Sequence, residues 1–270
     1  PLRRQRQMCI RDSSCPAEDV FFGGSLGGGK SEFLVNDAIF HCVAHPKASA
    51  IILRREHKEL ERLINRSKEW LGPWTRFATW QAGKKTWEFN HGSRLIFGNA
   101  EHENDIEKYT GDEYSFIGMD EGPTFTPYQL QYIRSRNRSS VGIAPVFRTT
   151  GNPHGISFWD FRTKYVDPPN RDVELVAWFD EDACFRAGAN PGGADYASFW
   201  RWYDPGTTGN PSELIAKGKG LVIVWRPRPT PALERRNKAR RERGDPELQM
   251  PTICFIPSFI QDNHYLYADG

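Results

Sequence analysis

Short apolar runs alternate with longer stretches of helical periodicity over the first half of the chain. Val20-Phe21-Phe22 is followed by a glycine-rich turn and a helix-like stretch, Glu32 to Phe40. Ala50-Ile51-Ile52-Leu53 is apolar at four consecutive positions, as a strand buried on both faces requires. Arg54-Arg55-Glu56 ends that run, and His57 to Leu71 again has helical spacing. This β-α-β alternation predicts a mostly parallel sheet covered by helices. Thr86 to Phe89 and Arg94 to Phe97 flank Asn90-His91-Gly92-Ser93, the composition of a tight hairpin turn. Phe116 to Met119 and Val146 to Thr149 are further buried-strand candidates.

The second half reads differently. Residues 168–251 are rich in Pro, Gly and charge, with strand-like fragments at Val173 to Phe179 and Leu221 to Trp225. They read as an insertion or peripheral layer on the core. Residues 1–18 are polar and irregular, and Met8 to Ser14 resembles translated library-adapter sequence, so they are set apart as a leader. The expected organisation is one domain over 19–262, with 263–270 as the start of a linker.

Composition narrows the class without naming it. The 270 residues are 38% hydrophobic and 26% charged, with a mean hydropathy of −0.64. No run approaches the roughly 18 apolar residues of a membrane-crossing helix. Five cysteines are scattered without a C-x-x-C pair, which suits reduced thiols better than zinc or disulfides. A net charge of +2 neither demands nor excludes a nucleic-acid partner. The basic run Arg235 to Arg243 reads first as a solvated helix and second as a candidate DNA contact.

The chemistry is concentrated at a few strand ends. Gly24-Ser-Leu-Gly27-Gly28-Gly29-Lys30-Ser31 is a complete G-x-x-x-x-G-K-[ST] phosphate-binding loop between an apolar run and a helix. Glycine lets many backbone N–H groups approach the phosphates of ATP or GTP, and the helix N-terminus favours the same anion. Lys30 is expected to reach the β- and γ-phosphates, and the Ser31 hydroxyl to ligate Mg2+. Asp120-Glu121 ends a buried strand on the side where open α/β sheets bind ligands. Asp120 is expected to hold the Mg2+ through its water shell, and Glu121 to act as the general base on the attacking water. Thr149-Thr150-Gly151-Asn152-Pro153 follows the next strand, where small polar groups can sense the γ-phosphate. An arginine should offset charge on the transferred phosphoryl group. Arg54, Arg55, Arg134, Arg136, Arg138 and Arg148 are all candidates.

Taken in order, these segments resemble the large terminase subunit of tailed bacteriophages. The resemblance includes Ile52-Leu53-Arg54-Arg55, Asn90 to Gly98, Tyr109 to Tyr114, Phe116 to Gly122, Phe125 to Leu130, Ser135 to Arg138, and Thr150 to Gly155. Phe255 to Asn263 is like the segment that closes the ATPase domain. The resemblance implies an α/β P-loop NTPase fold of RecA/ASCE type, with a mostly parallel central sheet. It implies an ATPase that drives double-stranded DNA into a procapsid, with ATP and Mg2+ as cofactors. Thr150 and Asn152 would form the motif coupling hydrolysis to movement. Implied partners are the portal protein, the small terminase subunit and further copies of the chain in a homo-oligomeric ring. The implied location is the host cytoplasm, at the procapsid portal vertex, with no membrane partner. A complete member carries an RNase H-like nuclease domain after the ATPase; the chain stops at Gly270, so nuclease activity is not expected of it. Ser25-Leu26 stands where many members place a basic residue, and Gln5 and Gln7 fall in the leader where an adenine-contacting glutamine would be sought. Two other classes fit less of the pattern: a helicase-like ATPase, and an assembly protein that binds nucleotide without turnover.

Overall fold

The computed structural model describes residues 15–24, 29–166, 173–179, 200–202, 223–227 and 229–258. Its centre is a parallel sheet. β1 (Asp19–Gly24) leads towards α1 (Lys30–Ala44), then β2 (Ser49–Arg54) and α2 (His57–Leu71). A meander follows: β3 (Ala78–Gln81), β4 (Thr86–Phe89) and β5 (Arg94–Asn99). β6 (Phe116–Asp120), α3 (Pro127–Arg134), β7 (Val146–Gly151) and the single turn α4 (Phe158–Phe161) complete the first half. β8 (Val173–Phe179), β9 (Trp200–Trp202), β10 (Ile223–Pro227), α5 (Pro231–Glu242) and β11 (Ile253–Ser258) make up the second.

The strand order is β3-β4-β5-β2-β6-β7-β1-β11-β10-β8-β9. β5, β2, β6, β7, β1 and β11 run parallel, and the strands outside them pair antiparallel. β7 therefore lies between β1, which leads into the glycine loop, and β6, which carries the acidic pair. That interposed strand is the arrangement expected of a RecA/ASCE-type sheet. The hairpin expected at 86–97 is present, and β3 extends it by one strand. Within 168–251, the described strands β8, β9 and β10 continue this sheet beyond β11.

β2 shows why its apolar run is unbroken. Ala50 and Ile52 pack with Leu34, Leu60, Leu63 and Ile64 of α1 and α2 on one face. Ile51 and Leu53 pack with Ile106, Met119, Phe125 and Phe147 on the other. α2 is the simpler case: Leu60, Leu63, Ile64, Ser67 and Leu71 are its buried residues, one stripe at helical spacing. α3 starts at a capping box. The Gln129 N–H donates to Thr126 Oγ1 at 3.2 Å, the Thr126 N–H donates to Gln129 Oε1 at 3.1 Å, and Pro127 opens the helix.

Register sets the position of the site. Arg54 pairs with Asp120, Met119 with Thr149, and Gly23 with Gly151. Four parallel strands thus end at the same edge, and the polar residues at their tips face one another.

Candidate active site

Gly29 is the N-cap of α1, with φ 77° and ψ 11° in the left-handed region, where glycine carries no steric penalty. Lys30 follows as the first helical residue and is buried. Burial lowers its pKa, opposed by the nearby charges of Glu121 and Asp120. Lys30 thus brings a cation to the two carboxylates at this strand edge.

Asp120 ends β6, is only 2% exposed, and is held at both carboxylate oxygens. Oδ1 accepts from Ser31 Oγ at 3.2 Å and from Thr150 Oγ1 at 2.6 Å. Oδ2 pairs with the Arg54 guanidinium, whose other terminal nitrogen lies 3.9 Å from Glu59 Oε2. Three strands and the start of α1 therefore meet on one carboxylate.

Glu121 leaves the strand in the left-handed conformation, φ 53° and ψ 45°. A non-glycine residue there costs on the order of 1–2 kcal/mol. The turn is secured by its own carbonyl, which accepts from the Thr124 N–H at 2.9 Å and from Thr124 Oγ1 at 2.6 Å. The result is to set the Glu121 carboxylate against β7. There the Asn152 N–H donates to Oε2 at 3.1 Å and Asn152 Nδ2 donates to Oε1 at 2.9 Å. Asn152 Oδ1 is buried and accepts no hydrogen bond from the protein.

Lys30, Ser31, Asp120, Glu121, Thr150 and Asn152 thus share one strand edge, and Gly24 and Gly29 bracket the loop between β1 and α1. Gly27 and Gly28, with Ser25 and Leu26, lie outside the described residues, as do Gln5 and Gln7. Of the arginine candidates, Arg54 stands against Asp120. Arg55 is engaged with backbone carbonyls, donating to Thr124 O at 2.6 Å and Glu101 O at 3.4 Å. The other four are placed elsewhere in the chain. Arg134 pairs with Asp19 at the start of β1 (2.7 Å), and Arg148 donates to Asp37 (2.7 Å) and Ala17 O (3.0 Å). Arg136 stacks over Tyr132, and Arg138 pairs with Glu113.

Two relationships had no signal in the sequence. Glu59 is an ordinary helix-surface acid until the fold brings it to Arg54. Asp19 is one residue of an apolar strand until Arg134, Lys164 and Tyr165 converge on it from far along the chain.

The donor set suits a hard divalent cation. Ser31 Oγ and Asp120 offer oxygen ligands, and Mg2+ is commonly held by one or two protein oxygens, with phosphates and water supplying the rest. Among the described residues there is no cluster of three or more His, Cys, Asp or Glu that would hold a metal without such help. Two clefts of about 360 and 420 Å³, lined by residues such as Asp19 and Arg134 or Arg94 and Arg138, open at the opposite strand edge and do not include this site.

No curated protein matches the chain. Among solved structures, the large terminase of a thermophilic bacteriophage is 15% identical with a TM-score of 0.48, over 60% of this chain and 42% of that one. The large terminase ATPase domain of Thermus phage P74-26 is 14% identical with a TM-score of 0.44, over 56% and 66%. The HK97 bacteriophage large terminase is 12% identical with a TM-score of 0.44, over 71% and 44%. The chain spans less than half the length of the first and third. The family described as "Terminase large subunit, T4likevirus-type, N-terminal" matches residues 21–171, more than half of the sequence and the whole of the strand edge described above. The chain therefore belongs to the terminase large subunits of T4likevirus type, matching their N-terminal part.

Proposed function

We propose that the chain is the ATP-hydrolysing motor part of a viral DNA-packaging terminase. The single observation that carries this reading is the convergence of Ser31, Thr150 and Arg54 on the Asp120 carboxylate, with Glu121 clamped by Asn152 immediately beside it.

The roles follow from the chemistry of each group. In this reading Gly24, Gly27, Gly28, Gly29 and Lys30 bind the phosphates, with the dipole at the start of α1 favouring the anion. Ser31 and Asp120 would hold Mg2+, which would offset the charge of the phosphates. Glu121 takes the proton of the attacking water. Its two hydrogen bonds from Asn152 fix the carboxylate's direction, and the open acceptor on Asn152 Oδ1 can help to orient that water. Thr150 lies at the end of β7, Asn152 directly follows that strand, and they touch Asp120 and Glu121 respectively. A change in phosphate occupancy felt by either acid is therefore transmitted to β7, the basis proposed here for coupling hydrolysis to movement.

Family membership supports double-stranded DNA as the object moved, with the portal protein, the small terminase subunit and further copies of the chain in a ring as partners. The site of action would be the procapsid portal vertex in the host cytoplasm. The test is ATP turnover by the chain with and without double-stranded DNA and portal. Turnover that depends on Mg2+ and rises with DNA supports the reading. Nucleotide binding with no turnover under any of these conditions would leave an assembly role instead.

A further inference from the structure

We propose that Arg54 is a built-in counter-cation for Asp120 that competes with the divalent metal, and that Glu59 is the carboxylate that receives it when the metal binds. This rests on the assignment of Ser31 and Asp120 to the metal.

The geometry carries the argument. Arg54 and Asp120 are direct register partners at the ends of β2 and β6. The guanidinium occupies Oδ2 while two hydroxyls occupy Oδ1, so each oxygen of this buried carboxylate already has a donor. A buried carboxylate without a counter-charge is costly, and the arginine supplies that charge when no metal is present. A metal, or a water of its shell, needs the same oxygen lone pairs. A guanidinium and a metal aquo-ion cannot both take Oδ2, and their positive charges repel.

The displaced side chain has a defined destination. Arg54 is only partly exposed, and its second terminal nitrogen already lies 3.9 Å from Glu59 Oε2 on the first turns of α2. A small rotation strengthens that pair as the contact with Asp120 is lost. Glu59 also holds Arg62 at 2.8 Å, an exposed contact that can be given up at little cost. Arg54 is therefore a positioning residue: it holds Asp120 while no metal is bound and sets how much metal is needed to take it.

The experiment uses the 270-residue chain, a fluorescent ADP analogue and titrated Mg2+. Arg54→Gln should lower the Mg2+ concentration for half-maximal nucleotide binding by roughly five-fold or more, the scale of a modest coupling between two ligands. In EDTA the same variant should melt below the unaltered chain, and added Mg2+ should close that gap. Arg54→Lys should restore the melting temperature in EDTA. Glu59→Gln should shift the Mg2+ requirement the other way, upwards, and decides the matter if Arg54→Gln does not fold. An unchanged Mg2+ requirement in a folded Arg54→Gln, a melting gap of equal size at every Mg2+ concentration, or an unchanged Glu59→Gln overturns the proposal. If nucleotide binding by the unaltered chain is itself independent of Mg2+, the metal assignment fails first.

Discussion

The Glu121 carboxylate is gripped by Asn152 at both oxygens, at 3.1 Å by the backbone N–H and at 2.9 Å by the side-chain amide. The acid proposed as general base is thus tied to the residue that directly follows β7. Glu121→Gln keeps the shape and removes the base, so ATP turnover should fall by about 10²–10⁴-fold with nucleotide affinity little changed. Asn152→Asp should be worse than Asn152→Ala, because it sets one carboxylate against another. Steady-state turnover alongside nucleotide binding separates the effects, and a Glu121→Gln chain that hydrolyses ATP at the normal rate would remove Glu121 from the mechanism.

Lys30 makes a separate prediction. It is buried at the start of α1, with its charge favoured by Glu121 and Asp120. Lys30→Ala should reduce ATP affinity by at least about tenfold, one charge-assisted hydrogen bond or more. Isothermal titration with a non-hydrolysable analogue measures it, and unchanged affinity would mean that the loop does not hold phosphate.

The segment after β7 is fixed by close packing against the turn that follows Glu121. Gly155 has φ +117°, and a Cβ there would meet Pro123 O at 2.3 Å; Ser157 adds hydrogen bonds to Pro123 O and Phe125 O. Gly142 also has a positive φ (+77°), but a Cβ would meet nothing within 4 Å. Gly142→Ala should cost about 1 kcal/mol from backbone strain alone. Gly155→Ala must also move backbone and should cost about 3 kcal/mol. Denaturant midpoints for the two variants make the comparison, and equal losses would show that the contact with Pro123 carries no weight.

At the other end of β1, Asp19 is buried among Arg134, Lys164 and Tyr165. Burial alone would raise its pKa, but the two cations and their hydrogen bonds hold it well below the usual carboxylate range. Its contribution to stability is therefore present above the unfolded carboxylate pKa and lost as pH falls through the depressed value. At neutral pH, Asp19→Asn leaves two cations facing each other and should destabilise the chain by about 3–5 kcal/mol. Thermal or urea unfolding tests this, and a loss below about 1 kcal/mol would mean that the cluster behaves like a surface ion pair.

His41 gives a pH window of its own. Burial, with smaller effects from His45 and Arg148, brings its pKa down from 6.5 to about 4. Its Nε2 lies 2.9 Å from Ser115 Oγ, and its ring packs against His45 and Phe116. The unfolded chain takes up the proton first as pH falls. Stability from this group is complete above about pH 6.5, declines towards pH 4 and levels off below it. Urea midpoints at pH 7 and pH 5 should differ less for His41→Gln than for the unaltered chain; equal differences would exclude His41 as the cause.

The sequence by itself determined the elements and the polar groups at their tips. The apolar run at 50–53 and the spacing of Leu60, Leu63, Ile64 and Leu71 predict β2 and α2, because burial on two faces and on one stripe leave different periods. The loop through Lys30-Ser31, the Asp120-Glu121 pair and the Thr150–Asn152 segment were legible for a local reason: each is a polar group at the end of an apolar run. What only the tertiary structure decided was partnership. Strand order, set by packing across the whole sheet, places β7 between β1 and β6, and so places Thr150 on Asp120 and Asn152 on Glu121. Register places Arg54 opposite Asp120 and separates it from the five other arginine candidates. The same long-range pairing joins Asp19 to Arg134 and makes β8, β9 and β10 a continuation of the sheet. Hydrophobic periodicity records whether a residue is buried; it does not record which distant strand buries it, and that choice sets the geometry of the site.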